Sequence, residues 1–351
     1  MDRMSSRDRV LAVLHHQIPD RIPHFEWVHD QSIIRALTNQ GSYEDLINEL
    51  DIDAVMCKPN YQQEKTGPNL TKDEWGITRK VGAVEYPMAV DDLAPIKNFD
   101  DFEKWNPPDP DAPLRWETLK KRVTLFKDKR AIFINLRDVW SYPRDLFGYM
   151  NLCIFTIDNP KLVEAVIEKC VDHTLRLAEL AVNIGAEVVV TGDDIAESKK
   201  TLISPRVWKD LFLPHFIKLS KGFHDLGLFY WKHSDGNIMP ILDTLIEAGI
   251  DGIDPIDPLG GMDLGIVKEK YGDKVAIKGN VDCVNLLTLG TEEDVIKGVK
   301  DCIRIAGQNG GYVCSSSNSI FDGINPMLYK TMIDAIHKYG KYPLDMELLR
   351  Y

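Results

Sequence analysis

Polar and ionisable side chains come directly after many of the strand-like segments of this 351-residue chain. His233 and Asp235 follow the apolar run at 228–231, and Asp193 and Asp194 follow the run at 186–191. Because side chains alternate along an extended strand with a period of two, His233 and Asp235 share one face. Such a pair either binds a metal ion or acts in acid–base catalysis. These four residues are the candidate catalytic group, and His233 with Asp235 are the candidate metal ligands.

Other polar and aromatic residues near the predicted strand ends are candidates for substrate binding. They are Glu26, His29, Arg137, Trp140, Tyr142, Asn280 and Asn318. The guanidinium of Arg137 can hold a substrate carboxylate through two parallel hydrogen bonds. Trp140 and Tyr142 are suited to form walls around an aromatic ring. So many ionisable groups near strand ends argue against a non-catalytic binding protein.

These residues need strands whose carboxyl ends meet at one face of the molecule. Eight strand-like runs are present, at 22–27, 52–56, 131–136, 186–191, 228–231, 250–256, 274–279 and 311–315. Helical segments separate most of them, including 239–247, 264–271, one opened by Thr291 and one beginning at Pro326. This alternation predicts right-handed βαβ units and a parallel sheet. Eight units favour a closed (β/α)8 TIM barrel, of the α/β class, over an open doubly wound sheet.

Residues 61–113 do not fit the alternation of strand and helix. The segment is polar and rich in Asp and Pro, and it lies between the second and third predicted strands. We predict an insertion at the rim of the barrel, so that residues 1–351 form a single domain.

Composition excludes several classes of function. The net charge of −12 provides no basic surface for nucleic acid or for an anionic membrane. No apolar run approaches the roughly 20 residues that cross a bilayer, and the first residues lack the apolar core of a signal peptide. The six cysteines are widely spaced, which argues against disulfides and a structural zinc knuckle. We expect a cytoplasmic protein.

Short motifs along nearly the whole chain resemble the uroporphyrinogen decarboxylase superfamily, in the order seen there. They are Arg7-Asp8-Arg9-Val10-Leu11, Pro19-Asp20-Arg21-Ile22-Pro23, Gly192-Asp193-Asp194, Ser204-Pro205, Leu213-Pro214, Lys232-His233-Ser234-Asp235-Gly236, Tyr271-Gly272-Asp273-Lys274, Gly279-Asn280-Val281-Asp282 and Gly310-Gly311-Tyr312. The resemblance implies a (β/α)8 barrel, in agreement with the strand count.

Two branches of this superfamily fit the sequence less well. The decarboxylases carry an arginine-rich stretch after the first strand, whereas here Glu26 and Asp30 would repel an anionic tetrapyrrole. Thiol methyltransferases hold zinc on a His-x-Cys and a later Cys, but Asp235 and Asn318 stand at those cysteine positions. A cofactor-free decarboxylase of a small carboxylic acid or porphyrinogen is kept as the alternative.

A third branch resembles this sequence best. Ser234-Asp235-Gly236-Asn237 together with Ser316-Ser317-Asn318-Ser319-Ile320 is similar to the methyltransferases of anaerobic O-demethylase systems. Those enzymes move a methyl group from a methoxylated aromatic to the cobalt of a separate corrinoid protein. The resemblance implies a small-molecule methyl donor and a corrinoid protein as partner. His233 with Asp235 would then protonate the leaving phenol, or hold a zinc ion that polarises the ether oxygen, with Asp193, Asp194 and Asn318 completing either site.

Overall fold

The computed structural model describes residues 4–81 and 87–350. Its α-helices are α1 (Ser6–Leu14), α2 (Gln31–Leu37), α3 (Tyr43–Glu49), α4 (Phe99–Lys104), α5 (Glu117–Phe126), α6 (Ser141–Phe147), α7 (Tyr149–Asp158), α8 (Pro160–Ile184), α9 (Pro205–Val207), α10 (Leu213–Asp225), α11 (Met239–Glu247), α12 (Leu264–Tyr271), α13 (Glu292–Ala306) and α14 (Pro326–Tyr339). Its strands are β1 (Ala54–Cys57), β2 (Gln63–Gly67), β3 (Leu70–Asp73), β4 (Thr78–Lys80), β5 (Met88–Ala89), β6 (Ala131–Leu136), β7 (Val188–Gly192), β8 (Phe229–His233), β9 (Gly252–Asp254), β10 (Ala276–Val281) and β11 (Tyr312–Ser316).

Seven of these strands form one parallel sheet in the order β1-β6-β7-β8-β9-β10-β11. Runs such as Val188, Val189 and Val190 in β7 are buried, as expected for parallel strands covered on both faces. Helices connect the strands, so that all the strands run in the same direction and their carboxyl ends meet at one rim, which we call the mouth. The predicted TIM-barrel-like fold is therefore confirmed at the level of a seven-stranded parallel sheet with helices.

Residues 22–27 differ from the prediction, because they do not form a regular strand. The segment instead makes single hydrogen bonds toward both edges of the sheet. Asp53 N donates to His24 O at 2.9 Å beside β1, and Cys314 N donates to Pro23 O at 3.1 Å in β11. Pro23 has no N–H to offer to a ladder, which works against regular pairing here. The eighth strand is therefore not confirmed.

The predicted helices are confirmed where their ends carry local signals. The helices predicted at 239–247 and 264–271 are α11 and α12, with the same limits. The Asp263 side chain caps α12 by accepting from Ile266 N. Thr291 and Asp294 form a reciprocal capping box at α13, and Pro326 opens α14. Within the described ranges, none of the helices combines the length and apolar character that crossing a bilayer requires.

The segment at 61–113 contains an antiparallel sheet of four strands in the order β2-β3-β4-β5. These strands were not predicted. In β2, for example, every residue except the last is exposed, so that no apolar alternation marks the strand. Trp75, Ile77, Ile96 and Trp105 of this segment are buried in the same hydrophobic core as the barrel strands. A single domain over residues 1–351, with this segment as a rim insertion, stays our prediction.

Candidate active site

His233 ends β8, and its imidazole lies among three carboxylates. Nδ1 donates to Asp254 Oδ2 at 2.9 Å, since a carboxylate can only accept. Nε2 lies 3.6 Å from Asp194 Oδ1 and 3.8 Å from Asp235 Oδ1. We call Asp194, His233, Asp235 and Asp254 the His233 cluster. Because Asp254 occupies Nδ1, Nε2 is the ring nitrogen left for chemistry at the mouth.

Asp254 accepts hydrogen bonds from three further side chains inside the barrel. Trp231 Nε1 donates to Oδ1 at 2.7 Å, Lys278 Nζ lies 3.3 Å from Oδ2, and Trp27 Nε1 also donates to Oδ2. Burial by itself would raise the pKa of Asp254, but Lys278 and His233 lower it. Asp254 is therefore a fixed anion that orients the histidine.

The three carboxylates around His233 determine the charge of its ring. Burial favours the neutral ring, yet Asp254 first, and then Asp235 and Asp194, raise the pKa of His233 to about 9. The ring is therefore a cation at neutral pH, with a proton on Nε2 as well as on Nδ1. The side chain is 16% exposed, so that this proton faces the mouth. This arrangement is suited to general acid catalysis.

Asp235 and Asn318 lie opposite the histidine. Asp235 Oδ2 accepts from Asn318 Nδ2 at 2.7 Å, and Asp235 N donates to Asp194 Oδ1 at 3.0 Å. Asp235 Oδ1 is buried and has no hydrogen-bond partner among the residues that the structure describes. Burial raises the pKa of Asp235 to about 6 despite the nearby His233, with Asp194 adding to the increase.

The His233 cluster also fits a divalent metal ion. One ligand atom each from Asp194, His233 and Asp235 lies within 4.8 Å of the others. Asp235 Oδ1 is buried and receives no hydrogen bond from the described residues, and a bound metal ion would give this oxygen a partner. The bond from His233 Nδ1 to Asp254 is the outer hydrogen bond that metal-binding histidines usually make. A nitrogen and oxygen donor set suits zinc or a harder divalent ion.

Two sequence candidates have other contacts in the structure. Asp193 Oδ1 accepts from Ser141 N and Oδ2 accepts from Asp138 N, both at 2.8 Å. Its carboxylate therefore fixes the turn that follows β6, and it does not face His233. Trp140 is fully buried and packs against Phe212, with ring centroids 5.6 Å apart. We reassign both residues from chemistry to positioning.

Three more candidates are held by protein groups. Glu26 accepts from Ser316 N at 2.7 Å and from Ser316 Oγ at 2.9 Å, and burial raises its pKa to about 7. His29 Nε2 lies 2.8 Å from the Tyr329 hydroxyl, and burial lowers the pKa of His29 to about 3. Asn280 Nδ2 donates to Ile256 O at 2.8 Å, while its Oδ1 faces Cys302 of α13. The structure does not bring His29 or Asn280 to the His233 cluster.

Arg137 and Tyr142 line a cavity of about 330 Å³ between the end of β6 and the insertion, which we call the β6 cavity. Arg137 Nη1 donates to Gly192 O. Gly192 pairs in register with His233 on the neighbouring strand. Tyr142 stacks on Trp75 with ring centroids 3.6 Å apart.

No role followed from the sequence for Asp254, Lys278 or Trp27. Lys278 is 1% exposed and lies between Asp254 and Glu26 Oε2, at 3.8 Å from the latter. Its signal was a lysine directly after the apolar residues 275–277 of a predicted strand, because lysine is almost never buried without an anionic partner. The partnership of Trp27 with Asp254 spans 227 residues of sequence and left no local pattern.

One family model and several known proteins are similar to this chain. The family model described as uroporphyrinogen decarboxylase (URO-D) matches residues 83–339. A uroporphyrinogen decarboxylase of Pseudoalteromonas atlantica is 22% identical over 266 residues, which cover 70% of each chain. A methylated-thiol–coenzyme M methyltransferase of Methanosarcina mazei is 24% identical over 170 residues, 48% of this chain and 44% of that protein.

A solved structure shows the same fold. A methyltransferase from Methanosarcina mazei has a TM-score of 0.75 at 17% identity, covering 96% of this chain and 99% of that one. The resemblance to the uroporphyrinogen decarboxylase superfamily and its methyltransferase branch is confirmed, since the family model and methyltransferases both match. The chain belongs to the uroporphyrinogen decarboxylase family.

Proposed function

We propose that this protein is a methyltransferase that moves a methyl group from a methoxylated aromatic to the cobalt of a separate corrinoid protein. The observation that carries the proposal is the position of His233, whose Nδ1 is fixed on Asp254 at 2.9 Å while Nε2 lies beside Asp194 and Asp235. The methyltransferase among the relatives supports the reaction class. The Asp235 and Asn318 pair in place of cysteines supports an oxygen-linked donor over a thiol.

The reaction needs help mainly at the leaving group. The bond between the methyl carbon and the ether oxygen breaks, and its electron pair stays on oxygen. A lone pair of cobalt(I) in the reduced corrinoid forms the new cobalt–carbon bond, and the oxygen takes a proton to give the phenol. A phenol has a pKa of about 10, so that its unassisted expulsion as phenoxide is slow. General acid catalysis typically contributes about 10²- to 10⁴-fold in rate.

His233 is the residue suited to deliver that proton from Nε2. Asp254 keeps the ring oriented and charged, and Asn318 holds the Asp235 carboxylate opposite the ring. In the metal alternative, Asp194, His233 Nε2 and Asp235 would hold a zinc ion, which supplies Lewis-acid polarisation of the ether oxygen. The corrinoid must approach from the mouth, since reacting atoms need to come within about 3 to 3.5 Å.

A decarboxylase is the second candidate, because relatives named uroporphyrinogen decarboxylase cover 70% and more of this chain at 22% to 23% identity. One experiment separates the two activities. The purified chain is mixed with a corrinoid protein reduced to cobalt(I) and a methoxyarene, and methylcobalt absorbance is followed. A parallel sample with uroporphyrinogen is assayed for released CO2. Methylcobalt formation that depends on the chain supports methyl transfer, whereas CO2 release alone overturns it.

A further inference from the structure

Helix α7 is apolar on its outer side as well as on its inner side. Its sequence contains a single charged residue, the Asp158 at its end. On the inner side Leu152 is fully buried, and Phe155 packs against Phe147 with ring centroids 5.4 Å apart. A surface helix of a globular protein normally carries polar residues on its outer face, and a helix that is apolar all round is usually buried.

The outer face of α7 is nevertheless exposed in this chain. Met150, Ile154 and Ile157 are four and three positions apart, so that they form one stripe along the helix. All three side chains are exposed, and the buried Leu152 lies on the opposite face. The stripe therefore has the pattern of a helix face that packs against a further surface.

The insertion extends this stripe. The turn at 91–93 packs against α7, where Met150 N donates to Asp91 Oδ2 at 3.3 Å. Leu93 of this turn is exposed, and Met88 lies beside Tyr149 in the wall of a cavity of about 270 Å³. The exposed side chains of the stripe and the insertion, each between 48% and 77% exposed, are called the α7 patch and are Met88, Leu93, Met150, Ile154 and Ile157.

The neighbours of α7 in the chain place it at the mouth. It lies between α6, which begins shortly after the carboxyl end of β6, and α8, which returns to the opposite end where β7 begins. The hydroxyl of Tyr149 donates to Leu202 O at 3.2 Å, in the loop that follows β7. Glu197 O of the same loop accepts from Asn237 N at 2.9 Å, close in sequence to Asp235. One loop therefore lies between the α7 patch and the His233 cluster.

The size of the patch favours a partner that binds and leaves again. Exposed apolar patches of roughly 300–600 Å² on a monomer are often functional. A permanent dimer buries about 2,000 Å² or more in total, whereas transient complexes bury less than about 1,200 Å². Five partly exposed side chains can form the apolar centre of the smaller interface only. The corrinoid protein of the proposed reaction is such a partner, because it must reach the mouth, take up one methyl group and leave.

We propose that the α7 patch is the surface on which the corrinoid protein docks. This inference rests on the proposed methyl transfer and adds the site that its protein partner binds. Met150, Ile154 and Ile157 are the anchors, since a helix is recognised in an apolar groove through residues three and four positions apart. Docking on the rim leaves the His233 cluster open to the cobalt of the bound partner.

The test compares two methyl acceptors, a corrinoid protein of an anaerobic O-demethylase system and free cob(I)alamin, with a methoxyarene as donor. Free cob(I)alamin has no protein surface, so that it does not need the α7 patch. A lysine within a docked apolar surface loses its hydration without gaining a partner. We therefore expect Ile157→Lys, and independently Met150→Lys, to raise the KM for the corrinoid protein about 10- to 100-fold. The rate with free cob(I)alamin should stay unchanged in both variants.

Ile305→Lys is the matched control. Ile305 is an exposed isoleucine near the end of α13, which leads to the start of β11 at the end of the barrel opposite the mouth. Its replacement should leave the KM for both acceptors unchanged. Equal losses with both acceptors in the patch variants, or no loss with the corrinoid protein, would overturn the docking surface. A wild-type dimer in sedimentation that Ile157→Lys dissociates would assign the patch to a second copy and would also overturn it.

Direct binding keeps the failure of this inference distinct from a failure of the proposed function. The same corrinoid protein is titrated into the whole protein by calorimetry, without a methyl donor. Binding that is lost in Ile157→Lys and kept in Ile305→Lys, with no methylcobalt formed on either acceptor, would support the docking surface and count against the methyl transfer. Methylation of free cob(I)alamin by a wild type that does not bind the corrinoid protein would support the methyl transfer and overturn the docking surface.

Discussion

Asp254 and His233 pair in register on neighbouring strands, and their 2.9 Å hydrogen bond decides which nitrogen of the imidazole faces the mouth. The same carboxylate is also bound by Lys278 and by two indole N–H groups, so that it cannot rotate freely. The orientation and charge of the candidate acid are thus fixed from inside the barrel and not from the solvent side.

Replacement of His233 by Ala tests the acid directly. We expect methyl transfer to fall about 100-fold or more, because the leaving oxygen loses its proton donor. The chain should still fold, but the midpoint of thermal unfolding should fall, because the buried Asp254 loses the partner at Nδ1; activity is therefore compared at a temperature where both proteins are folded. His224→Ala on α10 is the matched control and should retain activity. Near-normal turnover in His233→Ala would remove both the acid and the metal role, and Asp194 would become the first candidate.

Replacement of Asp254 by Asn should lower the pKa of His233 from its value of about 9. The interaction of the protonated ring with Asp254 contributes its full stabilisation below about pH 6.5, the ordinary pKa of histidine. This contribution is lost as the pH rises through about 9, where the ring of the folded protein loses its proton. The stability difference between wild type and variant should therefore shrink between those two pH values. NMR titration of the ring and urea unfolding of metal-free protein measure both effects. An unchanged ring pKa would show that Asp254 does not set the charge.

Chelation separates the two roles of the His233 cluster. If Asp194, His233 and Asp235 hold a metal ion, the purified protein should contain about one zinc per chain, and His233→Ala should lose it. Dialysis against a chelator should then lower the activity, and added zinc should restore it. Full activity after chelation would eliminate the zinc while leaving the acid role of His233 intact.

At the opposite end of the barrel, Asp53 should control stability and not activity. It is fully buried and accepts from Arg9 Nη1 at 2.5 Å and Arg21 Nη1 at 2.8 Å. Asp53→Ala leaves two guanidinium groups without their buried anion, for an expected loss of about 3–5 kcal/mol in urea unfolding. Asp334→Ala on α14 is the control, since its side chain is 62% exposed and pairs only with the surface residue Lys330 among the described residues, so that it should cost about 1 kcal/mol or less.

The effect of Asp53 should also depend on pH. Burial would raise the pKa of Asp53, but Arg21 and Arg9 lower it below the ordinary value. A carboxylate with a lowered pKa stabilises the fold above about pH 4, and the effect is lost as pH falls through the folded value. The stability gap between wild type and Asp53→Ala should narrow in acid. A gap that stays constant would contradict the ion-pair explanation.

Local sequence signals account for what was predicted correctly. The limits of α11 and α12 and the cap of α13 follow from residues within a few positions of the helix ends. His233 and Asp235 were chosen as candidates because strand ends carry chemistry in this fold, and the structure places their side chains 3.8 Å apart. In contrast, β2 has no buried face, and Trp27 and Lys278 meet Asp254 only through tertiary structure. Patterns that depend on distant partners do not appear in a single sequence.

The site is complete only after the whole chain has folded, because the segment at 22–27 binds residues that are far away in the sequence. Glu26 binds Ser316 across 290 residues, and the neighbouring Trp27 binds Asp254. Contacts so distant in sequence close costly loops and tend to form late. During synthesis, the segment at 22–27 cannot bind β11 until residue 316 has been added, long after β6 to β8. In the folded protein, detachment of the segment at 22–27 breaks the hydrogen bonds of both Asp53 N and Cys314 N. These two amides should therefore exchange their hydrogens together, as one cooperative unit.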